Sequence, residues 1–125
     1  MKRDMELIRK LLMSIEELEN PSSSAISIDG YEERVVNYHL YLLIQADLLN
    51  GNFDFEGGGN LSIPDYVRIY RVTWSGHEFI DNVRSEDVWN TLKSEFKEVS
   101  FSSLTNISKQ LVEGFAKKKI ESLLL

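Results

Sequence analysis

The 125-residue chain has no cysteine. That excludes disulfides, thiol nucleophiles and cysteine-ligated zinc. Histidine is almost as scarce, at two residues, so no histidine-rich metal site is expected, and no cofactor. No apolar run is long enough to cross a bilayer. The charged start Met1-Lys2-Arg3-Asp4 leads into an acid-bearing amphipathic segment, not the uninterrupted apolar run of a secretory signal. The expected location is therefore cytoplasmic, with no membrane contact. Positive charge is also in deficit: 14 Lys and Arg stand against 20 Asp and Glu, a net charge of −6. DNA affinity rests largely on Lys and Arg neutralising phosphates, so an acidic chain needs a local basic face to bind it.

What is present suits one core. The length is that of an ordinary domain, and 42% of the residues are apolar, enough for a single packed interior. Leu7, Ile8, Leu11, Leu12, Ile15 and Leu18 recur at helical spacing as one stripe. Asp4 stands where an N-cap is needed. Asn20-Pro21 stops the segment, because a residue before proline avoids the α region. Pro21-Ser22-Ser23-Ser24 reads as a polar loop, residues 25–28 as a short strand and Asp29-Gly30 as a turn. A second helix is expected from about residue 31 to about residue 46. At roughly 100° per residue, Val36, His39, Leu40 and Leu43 form its central apolar arc, flanked by Val35, Leu42 and Ile44. Arg34, Asn37, Tyr38, Tyr41 and Gln45 fall together on the opposite side.

Asp47 is expected to end that helix, since aspartate tolerates the left-handed conformation. Asn50-Gly51 is a turn signal, and Phe53-Asp54-Phe55-Glu56 reads as a strand. Gly57-Gly58-Gly59-Asn60 reads as a loose tip, and residues 66–73 as the returning strand. Thr73 or Ser75 caps the next helix, with Ser75 and Glu78 at capping-box spacing and Phe79, Ile80 and Val83 on its apolar side. Ser85 opens another helix carrying Val88, Trp89, Leu92 and Phe96. A last helix runs from about Ser102 with Leu104, Ile107, Leu111, Phe115, Ile120 and Leu123. Trp74 and Trp89 are expected to pack together and clamp the hairpin to the later helices.

The order implies an α+β, mostly helical chain. Its core, residues 1–84, is winged-helix-like, with helices and a two- or three-stranded β-hairpin wing. Extra C-terminal helices, 85–125, pack on that core to make a single domain overall. The room between Pro21 and Tyr31 does not support a separate first helix of a helix-turn-helix. Either two helices have merged, or the intermediate element is a turn.

Four ordered motifs carry a resemblance. Met1-Lys2-Arg3-Asp4-Met5-Glu6-Leu7-Ile8-Arg9 opens the chain, followed by Tyr38-His39-Leu40 with Leu42-Leu43-Ile44. Thr73-Trp74-Ser75-Gly76-His77-Glu78-Phe79 and Val88-Trp89 complete the set. Together they resemble a bacterial family often found in phage and prophage genomes, domain of unknown function 2513. The resemblance covers nearly the whole chain. It implies a phage-linked bacterial context and is compatible with a winged helix, and it carries no activity or catalytic residue.

The strip Arg34, Asn37, Tyr38, Tyr41 and Gln45 is the main candidate contact site. Arg, Asn and Gln are the side chains that pair with base edges in a major groove; tyrosine contacts phosphate or packs on protein. Lys2, Arg3 and Arg9 are candidate phosphate contacts, although Glu6 and Lys10 have the spacing of an ordinary helix-surface pair. Glu32 and Glu33 suit the start of a helix and repel phosphate there. Between Gly51 and Asp65 there are three acids and no Lys or Arg, which is the wrong charge for a DNA-gripping wing. His39 reads as a satisfied core histidine. Ser75, His77 and Asp81 do not form a triad, because neighbouring helix positions point in different directions. The expectation is a non-catalytic, phage-related DNA-binding regulator acting on double-stranded DNA. The alternative is a protein-protein interaction module for a host or phage protein. The many apolar positions of the last helix add the expectation of a homodimer formed through it.

Overall fold

In a computed structural model, residues 1–55 and 61–125 are described. Among them are the helices α1 (Met5–Glu16), α2 (Glu33–Gln45), α3 (Trp74–Val83), α4 (Glu86–Glu95) and α5 (Phe101–Leu124). An antiparallel hairpin, β1 (Leu49–Asp54) and β2 (Tyr66–Val72), lies between α2 and α3. The chain is α+β and mostly helical, and its α-helices and hairpin follow one another in the order expected from the sequence. It divides into two compact units, Met1–His77 and Glu78–Leu125, with the boundary inside α3. The tip expected at residues 57–60 lies outside the described residues.

In the first unit the stripe of α1 is buried at Leu7, Ile8, Leu11, Leu12 and Ile15. Asp4 caps the helix, its Oδ1 accepting from the Leu7 amide at 3.1 Å. The helix stops at Glu16, a turn before Asn20-Pro21, and Leu18 N–H closes back on the Ile15 carbonyl in a tighter i→i−3 bond. A single 3-10 turn, Pro21–Ser23, follows. No α-helix separates α1 from α2 among the described residues, so the intermediate element is only this turn. The strand expected over residues 25–28 does not form; the sheet is two-stranded. Just before this stretch, the Ser22 carbonyl accepts from Arg68 Nε of β2 at 3.2 Å.

The Asp29-Gly30 turn forms as expected. Tyr31 N–H bonds to the Ile28 carbonyl, and Gly30 has φ 88°, the left-handed value that type II turns demand of their third residue. Helix α2 starts two residues later than expected and buries Val36, His39, Leu40 and Leu43. Its end is a Schellman motif. Asp47 takes φ 63°, Leu48 N–H reaches the Leu43 carbonyl at 3.0 Å and Asp47 N–H the Ile44 carbonyl at 3.0 Å. Leu43 and Leu48, the apolar pair of such a motif, are both buried.

Asn50-Gly51 is not a turn. It lies within β1, at a bulge where the register passes from Asn50↔Arg71 to Gly51↔Ile69 and leaves Tyr70 unmatched. A side chain at Gly51 would overlap the Arg68 carbonyl oxygen, so the glycine that resembles a turn signal instead allows two backbones to approach. Thr73, not Ser75, caps α3: its Oγ1 accepts from the Gly76 amide at 2.9 Å.

In the second unit Phe79, Ile80 and Val83 are buried along α3. Ser85 caps α4, which buries Val88, Trp89 and Leu92. Ser100 caps α5, and the Phe79 and Phe101 rings lie 5.6 Å apart. Helix α5 buries Leu104 and Ser108, and the Ser108 hydroxyl accepts from Asn82 Nδ2 at 3.2 Å. Of the two tryptophans expected to be packed, Trp89 is buried, whereas Trp74 is 79% exposed.

Candidate functional site

The five residues of the α2 strip share one side of the helix but not one open surface. Arg34 and Gln45 are exposed. Tyr38 is half-buried, its ring edge-on to His39 at 5.5 Å. Asn37 and Tyr41, on one flank, turn toward the hairpin side. Tyr41 packs edge-on against Phe53 at 4.8 Å and Phe55 at 5.5 Å. Asn37 lines a cavity of about 580 Å³ together with Ser22, Ser24, Tyr31, Glu33 and Arg68. That volume lies within the small-molecule range. The Tyr31 phenol is held above its ordinary value by burial, then by the Asp4 and Glu6 carboxylates. Lys10 Nζ sits 5.9 Å from the centre of the same ring.

The candidate phosphate contacts sit at the opening of α1. Lys2 is exposed, and Arg3 and Arg9 are half-buried with partners of their own. This end is fixed to α2 by His39. The Asp4 amide donates to His39 Nε2 at 2.8 Å, and His39 Nδ1 lies 2.8 Å from the Val35 carbonyl. A carbonyl only accepts, so Nδ1 carries the proton, Nε2 is the acceptor and the ring is neutral. His39 is a satisfied core histidine. His77 Nδ1 stands 4.0 Å from Glu16, while Asp81 pairs with Arg84 at 3.2 Å.

A second polar surface escaped the sequence reading. Opposite residues in the ladder share a face, so Leu49/Val72 and Gly51/Ile69 point one way, and Asn50/Arg71 and Asn52/Arg68 the other. Leu49 and Ile69 are buried; Asn50, Asn52, Arg68 and Arg71 are exposed. Arg71 Nη1 donates to Asn50 Oδ1 at 2.8 Å, and Asn52 Nδ2 donates to the Tyr70 hydroxyl at 2.6 Å. Arg68 and Arg71 are three residues apart. Strict alternation would place them on opposite faces, and the bulge at Tyr70 brings them together. The sequence signal for it was Gly51 inside a strand pattern.

No helix among the described residues is long and apolar enough to cross a membrane. A Haemophilus influenzae strain Rd protein described as "Uncharacterized protein" is 31% identical over 115 residues, covering 90% of this chain and 93% of its own. No solved structure matches. Residues 2–102 match the family described as "Hypothetical protein (DUF2513)", and over that span, with a full-length relative alongside, the chain belongs to this family.

Proposed function

We propose that the first unit is a non-catalytic, winged-helix-like module that contacts double-stranded DNA, as a cytoplasmic regulator in a phage-linked bacterial setting. A winged-helix plan does not by itself imply a function. The observation that carries the reading is the outward hairpin face, where Arg68, Arg71, Asn50 and Asn52 are all exposed. A two-stranded ribbon fits a major groove, arginine pairs with guanine and asparagine with adenine. Arg71 donates one N–H across the strands to Asn50 Oδ1, which fixes one edge of the guanidinium and leaves its other N–H groups to a ligand. Arg34 adds an exposed cation on α2. The chain's net charge of −6 makes the contact depend on this local face, and therefore on salt.

The test is selection from a random duplex library, followed by fluorescence anisotropy of the selected duplex across a salt series. Binding that weakens with salt is expected. Arg68→Ala/Arg71→Ala should lower affinity by roughly tenfold or more and make the log-affinity slope shallower by about 2. No binding to any duplex at low salt would overturn the proposal.

The second reading, a protein-interaction module, is favoured by one observation: Trp74 is 79% exposed. Tryptophan is enriched among residues that dominate protein interfaces. Under that reading Trp74→Ala abolishes capture of a defined partner and Arg68→Ala/Arg71→Ala does not; under the DNA reading the dependence is reversed.

A further inference from the structure

Beyond Val112 every residue of α5 is exposed. Among these residues are Phe115 at 38%, Ile120 at 56% and Leu123 at 70% exposure. At about 100° per residue, Val112, Ala116, Ile120 and Leu123 fall within an arc of roughly 80°. Lys109, Glu113, Lys117 and Glu121, four residues apart and alternating in sign, fan out from the edge of that arc over roughly 120°. In a parallel, in-register pair this row faces the opposite flank of the partner helix and never meets itself. In an antiparallel pair with its two-fold axis level with Phe115, Glu113 meets Lys117 along the edge of the contact, in both directions, and Lys109 lies level with Glu121. The row is thus complementary to itself in one orientation only. The same inversion slots Val112 between Ala116 and Ile120 of the other helix, with the small Ala116 side chains at the centre.

We propose that the second half of α5 is a dimerisation segment that pairs antiparallel with the same segment of a second copy of this chain. Opposite charges four apart also pair along a single helix, but such pairing does nothing to cover the apolar arc. A contact between two short helix segments is below the area of a standard stable interface, so dissociation on the order of micromolar is expected.

Sedimentation velocity of the full chain should show a monomer–dimer equilibrium between about 1 and 200 µM. Ile120→Asp, at an exposed position, should leave monomer only. Glu113→Lys places like charges opposite each other and should weaken association by roughly tenfold. Adding Lys117→Glu restores the complementarity and should return the dissociation constant to within about threefold of the original. With no native cysteine, one introduced thiol reports orientation: Ala116→Cys should cross-link the dimer under mild oxidation, and Leu123→Cys should not, because its copies lie at opposite ends of the contact. Monomer throughout the concentration range, no rescue by the double exchange, or efficient Leu123→Cys cross-linking each overturns the proposal.

Discussion

The Thr73 hydroxyl donates to the Asp47 carbonyl over 2.6 Å, joining the end of α2 to the start of α3. The same oxygen accepts from the Gly76 amide at 2.9 Å, and the Thr73 amide donates to the Leu48 carbonyl at 3.1 Å. One residue therefore extends the hairpin pairing, caps a helix and satisfies a carbonyl at the end of another. Thr73→Val keeps the shape and removes the hydroxyl, and should cost about 2 kcal/mol in urea unfolding, the sum of a lost cap and a lost hydrogen bond. Thr73→Ser should recover most of it. Gly76→Ala should be worse than Thr73→Ser, at roughly 2–3 kcal/mol, because its β-carbon would overlap the Leu48 carbonyl oxygen and press Val72 Cγ1 at 2.7 Å.

Asp47 holds φ 63° at the end of α2, where a residue with a β-carbon is strained and glycine is not. Asp47→Gly should stabilise the chain by about 0.5–1 kcal/mol, since the bonds at this corner use the Asp47 backbone and survive the change. Asp47→Val should destabilise it by more than that gain, because a β-branched residue tolerates this region least. Thermal unfolding of the three proteins should rank Gly above Asp above Val.

His39 is buried at 1% exposure between two backbone groups. Two-dimensional ¹⁵N–¹H NMR should find the imidazole neutral with its proton on Nδ1. His39→Phe preserves bulk but leaves the Asp4 amide without its acceptor, and should cost about 2 kcal/mol. A cost near zero would mean that this amide finds another partner.

Much of the fold was legible because helical stripes are redundant. Six apolar residues mark α1, and losing Leu18 from the helix does not change the assignment. Caps were equally readable at Asp4, Ser85 and Asp47, where the residue type is tied to one local conformation. Other features were not legible. Gly51 looks the same in a turn and at a bulge, and the cross-strand neighbour that decides between them is set by tertiary register. Residues 25–28 alternate like a strand, yet a strand exists only if a partner offers its edge. Trp74 has a core residue's chemistry at a helix position that faces solvent. The α2 strip was right in helical phase, but phase does not say which flank a following hairpin covers. The arginines on β2 were hidden because the bulge breaks the period of two.

Glu33 separates stability from binding. It stands in the first turn of α2, where a carboxylate is favourable against the positive end of the helix dipole, and it lines the cavity shared with Arg68. Glu33→Gln removes the charge and little else. It should lower stability by roughly 0.3–1 kcal/mol in chemical unfolding. If this face meets DNA, the same change removes an acid from beside the phosphates, so affinity for the selected duplex should rise severalfold at low salt and the gain should shrink as salt is added. The two measurements move in opposite directions for one electrostatic reason. Unchanged DNA binding by this variant across the salt series, in a protein that remains folded, would place Glu33 away from the phosphate backbone and count against this face as the contact surface.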